Sequence, residues 1–346
     1  MKQINTTLYC LNKDSSVQEW KVFVEGNVIT VAYGKLGGKI QEKQTVCQGK
    51  NRGRSNETSD DEQAELEAIS KWNAQYLKGY RESIEGLSVD TTQVMLAQDA
   101  SKKPHLISYP CTVHPKLDGL RCLVTFDKDG QVVFNSRGNK TFPVPEHLNV
   151  QFLQLREETG INSFDGELIV FGMPLQKINS LVKKTQAESA SLQFYIFDIP
   201  SDKKWISGYT ENVDTKTFTD CRYTDLYNNV GYSVRYQNKY PDLIVVPTEF
   251  CYTEQQVRDS IGIFMEQGYE GTIIRNFEGV YEYGQRSNNL LKWKLFFDTE
   301  AFVESCEEDK NNEGVLHCCL QDGTKFKCKM KGSHEERLYA NQLTKV

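Results

Sequence analysis

The sequence predicts an α+β fold in which antiparallel sheets dominate, and it divides into three regions: residues 1–88, 93–297 and 298–346. Strand-like segments occur in all three regions, and short turns rich in glycine, aspartate or asparagine join several of them as hairpins. Stretches of helical periodicity stand beside these strands in the first two regions. Strands that pair through short turns, with a few helices beside them, are typical of α+β proteins.

The composition is that of an ordinary globular protein, since 38% of the 346 residues are hydrophobic and 25% are charged. The first residues lack the apolar run of a signal peptide, and no stretch has the roughly 18 apolar residues of a membrane span, so we expect no membrane association. The ten cysteines include no Cys-x-x-Cys pair, which favours free thiols and a reducing, cytoplasmic location. The net charge of −6 argues mildly against nonspecific coating of nucleic acid but allows a local basic groove.

The first region predicts two strands and one helix. Alternating segments at residues 19–24 and 28–33 are joined by a short turn that contains glycine. Residues 49–55 are polar and basic, which indicates an exposed loop. The pair Ser59 and Glu62 forms a capping box that begins the helix. Apolar side chains then recur at helical spacing, and we expect these to pack in the core: Leu66, Ile69, Trp72 and Tyr76.

The central region predicts a hairpin and two helices. An alternating segment at 120–126 is followed by an Asp-Lys-Asp-Gly turn and a returning strand at 132–136. A short helix is expected over 175–182, and a longer one lies between Thr253 as N-cap and Gly268 as stop. The apolar face of the first strand consists of Leu120, Cys122, Val124 and Phe126.

The third region predicts three strands, at 301–306, 314–320 and 324–330, with a hairpin at Asp322-Gly323. Lysines alternate along the last strand and would project from one face: Lys325, Lys327, Lys329 and Lys331. Such a basic face either guards an exposed sheet edge or contacts nucleic acid.

Five short segments carry the chemistry of the central region. The first runs from His114 to Arg121 and contains the string Lys-x-Asp-Gly-x-Arg, which alone could be a charged turn between strands. Four apolar segments with embedded charges follow it in order: 164–168, 194–198, 270–275 and 290–294. Five such segments in one order are much stronger evidence of a site than any one of them.

The alternation of side chains along strands places these groups on defined faces. In extended segments His114 and Lys116 share a face, and Lys292 and Lys294 share another. Phe197 lies on the strand face opposite to its apolar neighbours. A sheet that carries an aromatic ring, lysines and carboxylates suits a nucleotide, because it offers stacking, phosphate contacts and metal ligands. The residues expected to pack inward on the last strand are Leu291, Trp293 and Leu295.

The five segments resemble the ordered motifs of the covalent nucleotidyltransferase superfamily, which contains ATP-dependent DNA ligases, RNA ligases and mRNA capping enzymes. Residues 95–98 and 286–294 are most similar to phage-type ATP-dependent DNA ligases. This resemblance implies an antiparallel, ATP-grasp-like adenylation domain over 93–297. It also implies an OB-fold domain over 298–346, which we expect to be partial because a five-stranded barrel would need nearly all of those residues.

The first region resembles a WGR-like module. The matching residues are 33–37 and 78–80, although the tryptophan and arginine of that motif are replaced by Tyr33 and Lys35. The resemblance implies either an accessory domain that contacts DNA or a purely structural domain.

The resemblance further implies the sealing of nicks in duplex DNA. A lysyl-AMP intermediate would form from ATP with Mg²⁺ or Mn²⁺, AMP would pass to the 5′-phosphate, and the 3′-hydroxyl would then expel AMP. A monomer that acts in DNA replication, repair or recombination is expected, encoded by a phage or a virus and acting in a host cytoplasm. An RNA ligase, a capping guanylyltransferase and a non-catalytic nick-binding module remain as alternatives.

Individual roles follow from the same resemblance. Lys116 would be the nucleophile, and Glu167 and Glu270 would hold the metal. Arg121 and Arg137 would contact DNA at the nick. The residues implied in nucleotide binding are His114, Lys116, Arg121, Arg137, Glu167, Phe197, Arg286, Lys292 and Lys294. Among these, Phe197 would stack on adenine and His114 would lie beside it, although a histidine next to a proline turn could equally lie on the surface.

Overall fold

The computed structural model describes residues 1–12, 14–143, 145–207, 220–236, 239–295, 298–309, 313–332 and 336–338. It is a mixed α+β structure with mainly antiparallel sheets, which confirms the predicted fold class. The chain divides into two compact units. The first comprises Met1–Gln75, Arg81–Glu85 and Phe296–Val346, and the second comprises Tyr76–Tyr80 and Gly86–Leu295.

The strands in chain order are β1 (Lys2–Gln3), β2 (Leu8–Leu11), β3 (Val17–Glu25), β4 (Val28–Lys35), β5 (Gln41–Val46), β6 (Leu96–Asp99), β7 (Cys111–Pro115), β8 (Leu120–Phe126), β9 (Val132–Ser136), β10 (Ser163–Ile169), β11 (Gln193–Asp198), β12 (Leu243–Val245), β13 (Glu249–Cys251), β14 (Thr272–Asn276), β15 (Arg286–Trp293), β16 (Phe302–Glu308), β17 (Gly314–Cys319) and β18 (Lys325–Cys328). The α-helices are α1 (Asp60–Leu77), α2 (His147–Thr159), α3 (Leu175–Lys183), α4 (Arg222–Thr224), α5 (Gly231–Tyr236) and α6 (Glu254–Glu266). Within the described part of the chain, no helix has the length and hydropathy that crossing a bilayer requires.

In the first unit, β1, β3, β4 and β5 form a sheet in that order, and β2 pairs with the free part of β3. The two predicted strands at 19–24 and 28–33 are confirmed as the cores of β3 and β4, with Trp20 opposite Tyr33. The capping box of α1 is also confirmed. The Ser59 N–H donates to Glu62 Oε2 at 2.8 Å, and the Glu62 N–H donates to Ser59 Oγ at 3.3 Å.

The predicted inner face of α1 is wrong for three of its four residues, and Trp72 is the exception. The helix buries Ala64 and Ala68, whereas Leu66, Ile69 and Tyr76 are exposed. The inward face continues one turn later at Trp72, whose indole N–H donates to the carbonyl of Thr6 at 2.8 Å. Small alanines and one anchored indole therefore select a different face from the one that the larger apolar side chains indicate. The other three apolar side chains of the predicted stripe lie at the surface instead.

The three strands predicted in the third region are confirmed as β16, β17 and β18, an antiparallel sheet within the described part of that region. Three of the four predicted lysines are paired with carboxylates: Lys325 with Glu304 at 2.9 Å, Lys327 with Glu307 at 2.8 Å, and Lys329 with Asp309 and Glu313 at 2.6 Å. Cross-strand pairing of this kind neutralises most of the predicted basic face. The alternation along the strand was predictable, but its acidic partners on other segments were not.

The second unit contains two five-stranded sheets. The β10 sheet has the order β12-β11-β10-β8-β9, and the β7 sheet has the order β13-β7-β14-β15-β6. Most neighbours are antiparallel, but β12 runs parallel to β11 and β6 runs parallel to β15. The predicted apolar face of β8 is confirmed, because Cys122 and Val124 are fully buried beside Phe194 and Ile196 of β11.

The helices of this unit were partly predicted. Thr253 is the N-cap of α6, with its hydroxyl accepting the Gln256 N–H, and Gly268 follows the helix end with φ +87°. Helix α2 was missed, although its buried residues Leu148, Phe152 and Leu155 follow helical spacing. The expectation that Leu295 packs inward is wrong. β15 ends at Trp293, so the alternation stops there and Leu295 is exposed.

Candidate active site

A cavity of about 330 Å³ lies within the second unit, with β7, β14 and β15 on one side and β8, β10 and β11 on the other. The ten residues that the sequence singles out all line it: His114, Lys116, Arg121, Arg137, Glu167, Phe197, Glu270, Arg286, Lys292 and Lys294. They come from segments up to 180 positions apart, so the fold alone brings them together.

Lys116 follows the last residue of β7, and its backbone is held on both sides. Its N–H donates to the carbonyl of Gly271 at 2.9 Å, and the Glu270 N–H donates back to the Lys116 carbonyl at 3.0 Å. The ammonium group contacts the Glu270 carboxylate and also donates to the carbonyl of Leu117 at 3.2 Å. The lysine is therefore fixed at the cavity wall, with its side chain 19% exposed.

Glu270 lies between two lysines. One oxygen contacts Lys116, and the other lies 2.7 Å from Lys294 Nζ. Burial alone would raise the pKa of Glu270, but the hydrogen bonds from both lysines lower it below its ordinary value. Burial also lowers the pKa of Lys292, and the charges of Lys116 and Lys294 add to that effect. The three lysines thus form a compact cationic wall that suits an anion such as a phosphate.

Glu167 on β10 faces the lysines from the other sheet. Its Oε2 accepts the backbone N–H of Gly119 at 3.1 Å. Burial raises the pKa of this carboxyl to about 7, in spite of the opposing charges of Arg121 and Lys116. The group therefore titrates near neutral pH, unlike an exposed glutamate.

The two glutamates supply carboxylate oxygens, but within the described ranges no three carboxylate, imidazole or thiol groups gather as a metal site. Glu167 and Glu270 line the same cavity, and Gly119 engages one oxygen of Glu167. This donor set fits Mg²⁺ that arrives with a phosphate ligand, since Mg²⁺ commonly takes one or two carboxylates together with phosphate oxygens and water.

An aromatic plate forms another part of the wall. The Phe197 ring is stacked on His114, with ring centroids 5.7 Å apart and planes inclined by 16°. The Arg121 guanidinium lies 4.4 Å from the Phe197 centroid. This arrangement combines a flat apolar surface with a cation above it, which suits a planar base.

His114 is buried, so its alternative placement at the surface is wrong. Its Nδ1 lies 3.1 Å from the Pro115 carbonyl, which can only accept, so the ring proton is assigned to Nδ1. The other nitrogen, Nε2, is buried and has no partner among the described residues. Burial and the nearby charge of Arg275 lower the pKa of His114 to about 3, so the ring is neutral. The neutral ring leaves an unused hydrogen-bond acceptor at the cavity.

Three buried charged residues near the cavity were not singled out from the sequence. Asp165 accepts two hydrogen bonds from Arg121, each at 2.6 Å. Arg275 lines the cavity and pairs with buried Asp198, which also accepts a bond from Arg222 at 2.8 Å. The sequence did contain a signal for these residues, because each charge lies in an otherwise apolar strand. A charge that is buried there requires a partner of opposite charge.

Two motif glycines are required by close backbone contacts. A Cβ on Gly166 would lie 2.4 Å from the Tyr195 carbonyl oxygen, between β10 and β11. A Cβ on Gly271 would lie 2.2 Å from the Trp293 carbonyl oxygen, and its φ of +142° also disfavours side chains. The glycines beside Asp165, Glu167 and Glu270 therefore allow the strands to approach closely enough to form the cavity.

Comparisons with known proteins agree with this geometry. Residues 94–294 match the family model described as the ATP dependent DNA ligase domain. DNA ligases from two isolates of African swine fever virus are 26% and 25% identical over 304 residues, covering 80% of this chain. The chain spans 64% of the length of these viral relatives. A solved structure from an analysis of Lig E DNA ligases superposes with a TM-score of 0.51 at 20% identity, covering 72% of this chain and 88% of that one.

Proposed function

This chain belongs to the family of ATP-dependent DNA ligases, and from that premise we propose that it seals nicks in duplex DNA at the expense of ATP. The observation that carries the proposal is the position of Lys116 in a cavity that also holds Glu167, Glu270, Phe197 and further lysines. A phosphoryl acceptor, a cationic wall and a stacking plate are what transfer of AMP to a lysine needs.

In the first step the Lys116 amine attacks the α-phosphorus of ATP. A phosphorus–nitrogen bond forms, the bond to the leaving oxygen breaks, and pyrophosphate departs. The attacking amine must be unprotonated, so Lys116 has to leave its ion pair with Glu270 and lose a proton before it reacts. Lys292 and Lys294 stabilise the negative charge on the α-phosphate as the bond forms.

The base and ribose are held by residues from both sides of the cavity. Adenine stacks on Phe197, and its exocyclic amino group donates to Nε2 of His114. Guanine presents a carbonyl oxygen at the corresponding position, so the neutral imidazole favours ATP over GTP. Glu167 accepts from the ribose hydroxyls, and Arg286, held by its bond to the Ala97 carbonyl, reaches the phosphate.

Mg²⁺ or Mn²⁺ would be held by Glu167 and Glu270 together with phosphate oxygens. The ion would supply positive charge at the triphosphate.

The later steps transfer AMP to DNA. A 5′-phosphate oxygen attacks the lysyl-AMP phosphorus and releases Lys116, and the 3′-hydroxyl then attacks the 5′-phosphate and expels AMP. Arg121 and Arg137 contact the nick, and the exposure of Arg137 at the cavity supports this role. Nicked duplex DNA is the substrate.

The remaining features of the proposal concern the whole chain. Residues 93–297 form the adenylation domain, 298–346 an OB-type domain, and 1–88 a WGR-like accessory domain. We infer a monomer that acts inside a cell, and ten free cysteines support a reducing location. A role in viral DNA replication, repair or recombination fits the viral relatives.

The proposal is tested with a nicked duplex that carries a labelled 5′-phosphate, incubated with ATP and Mg²⁺. The wild type should seal the nick, and Lys116→Ala should not. Lys184→Ala, at an exposed lysine that follows α3, is the matched control and should seal at the wild-type rate. Equal sealing by Lys116→Ala would contradict the proposal, as would activity with GTP in place of ATP or with nicked RNA alone.

A further inference from the structure

One buried tyrosine contacts a residue that holds part of the cavity wall in place. Tyr281 lies between β14 and β15, is 4% exposed, and does not line the cavity. Its hydroxyl makes two hydrogen bonds. It accepts the backbone N–H of Met95 at 3.1 Å and donates to Asp165 Oδ2 at 2.5 Å.

Asp165 links Tyr281 to Arg121, which lines the cavity. The carboxylate is fully buried and accepts Nε and Nη2 of Arg121, each at 2.6 Å. Nη2 of Arg121 also donates to the Met95 carbonyl at 3.4 Å, which closes a ring of contacts through Tyr281, Asp165 and Met95. These contacts use one edge of the guanidinium, and Nη1 has no acceptor in the described part of the chain.

The ring constrains the orientation of Arg121. A carboxylate that held only the guanidinium could rotate together with it, whereas a third donor on Oδ2 fixes the plane of the carboxylate. The guanidinium also lies against the Phe197 ring. Fixing this plane therefore fixes where Nη1 points relative to the stacking plate.

The direction of the tyrosine hydrogen bond is also settled. Burial raises the pKa of Tyr281 well above its ordinary value, and the Asp165 charge raises it further. The hydroxyl therefore stays protonated and remains a donor across the working pH range.

We propose that Tyr281 is a positioning residue for nick sealing: its hydroxyl holds Asp165 so that Arg121 presents Nη1 to a substrate oxygen at the cavity. The inference rests on the proposed function, because it assigns the substrate contact to Arg121. It adds a residue outside the cavity to the group that determines the sealing rate.

The chain offers a matched control two positions away. Tyr283 packs against Tyr281 with ring centroids 4.9 Å apart, and its hydroxyl has no hydrogen-bond partner among the residues that the structure covers. Tyr281→Phe removes only the hydroxyl that bonds to Met95 and Asp165. Tyr283→Phe removes a hydroxyl that makes no hydrogen bond with the described residues.

The experiment measures single-turnover sealing of a nicked duplex that is already adenylated at its 5′-phosphate. Tyr281→Phe should slow sealing by about tenfold, the loss expected for one buried hydrogen bond to a charged group, while Tyr283→Phe should not slow it. Both variants are also made in an Arg121→Lys background, which keeps the cation but loses the two-pronged contact with Asp165. In that background Tyr281→Phe should cause little further slowing.

A purely structural role predicts a different pattern. Tyr281→Phe would then slow sealing by the same factor in both backgrounds, and that result with an active wild type would overturn the inference alone. Equal slowing by Tyr283→Phe would overturn it as well. A wild type that seals neither the nicked duplex with ATP nor the duplex that is already adenylated would overturn the proposed function and the inference with it. The wild-type measurement therefore distinguishes the two failures.

Discussion

At the scale of residues, the site depends on charges that are set by burial and by neighbouring charged groups. Glu270 is held as a carboxylate by Lys116 and Lys294, whereas His114 is held neutral beside Phe197. The ionised glutamate keeps the lysines in place, and the neutral imidazole keeps an acceptor available for a base. Both states follow from neighbours that lie far away in the sequence.

A pH titration of stability tests the state of His114. The unfolded histidine titrates near 6.5 and the folded one at about 3. Between these values the unfolded chain binds a proton that the folded chain does not. The contribution of His114 to the free energy of unfolding is therefore fully present above pH 6.5 and is lost as the pH falls towards 3. As the pH falls through this window, the free energy of unfolding of the wild type should decrease by about 1.4 kcal/mol per pH unit more than that of His114→Gln, measured by urea unfolding.

The control for this titration is His105→Gln, at an exposed histidine in the same unit. It should follow the pH dependence of the wild type. Identical pH slopes for wild type and His114→Gln would show that His114 is protonated in the folded protein.

The residues proposed to carry the chemistry could be named from the sequence, but the buried groups that hold them in place could not. Lys116, Glu167 and Glu270 stand in short strings whose chemistry is readable from residue type and order. The roles of Asp165 and Tyr281 depend on a hydrogen bond between residues 116 positions apart, which the sequence does not indicate. A sequence pattern reports spacing along one strand, whereas hydrogen bonds between buried groups depend on how strands from distant segments pack.

At the scale of elements, strand pairing was easier to predict than helix orientation. The hairpin of β8 and β9 and the cap of α6 follow from local alternation and turn chemistry. The buried face of α1 did not follow from its largest apolar residues, because Ala64 and Ala68 pack inward. Close approach favours small side chains, which hydrophobic periodicity does not weigh.

One glycine substitution tests how closely the start of β14 approaches β15 at the site, and a second, in α6, is its control. Gly271→Ala places a methyl group against the Trp293 carbonyl at a positive φ, so we expect it to destabilise the fold by about 3 kcal/mol and to weaken AMP binding. Gly262→Ala, at an exposed position of helix α6 with open space around it, should stabilise the fold by about 0.5–1 kcal/mol.

Urea unfolding and calorimetric titration with AMP measure both variants. A Gly271→Ala protein that is as stable as the wild type and binds AMP normally would show that this close contact is not required. A destabilised Gly262→Ala would contradict the open surroundings of that glycine.

At the scale of the molecule, the candidate site belongs to one compact unit. The predicted adenylation region at 93–297 and the compact segment Gly86–Leu295 nearly coincide, although the domain borders stay a prediction. The first and third regions together form the other unit, which the sequence did not indicate. Membership of one unit by segments that lie more than 200 positions apart leaves no local pattern in the sequence.

A shortened chain tests whether the second unit suffices for nucleotide binding. A protein limited to residues 86–295 contains all the residues that line the cavity. We expect it to bind AMP with an affinity similar to that of the full chain, by calorimetric titration. The same fragment with Phe197→Leu should bind more weakly, since it lacks the stacking ring. A folded fragment without affinity for AMP would contradict the placement of the site.

The central claim, that Lys116 carries AMP, is tested most directly by intact-protein mass spectrometry after incubation with ATP and Mg²⁺. The wild type should gain the mass of a single AMP, and fragmentation should place it on the peptide that contains Lys116. Lys116→Ala should gain nothing. An AMP adduct of equal yield on Lys116→Ala, or one that maps to Lys292 or Lys294 in the wild type, would contradict the account.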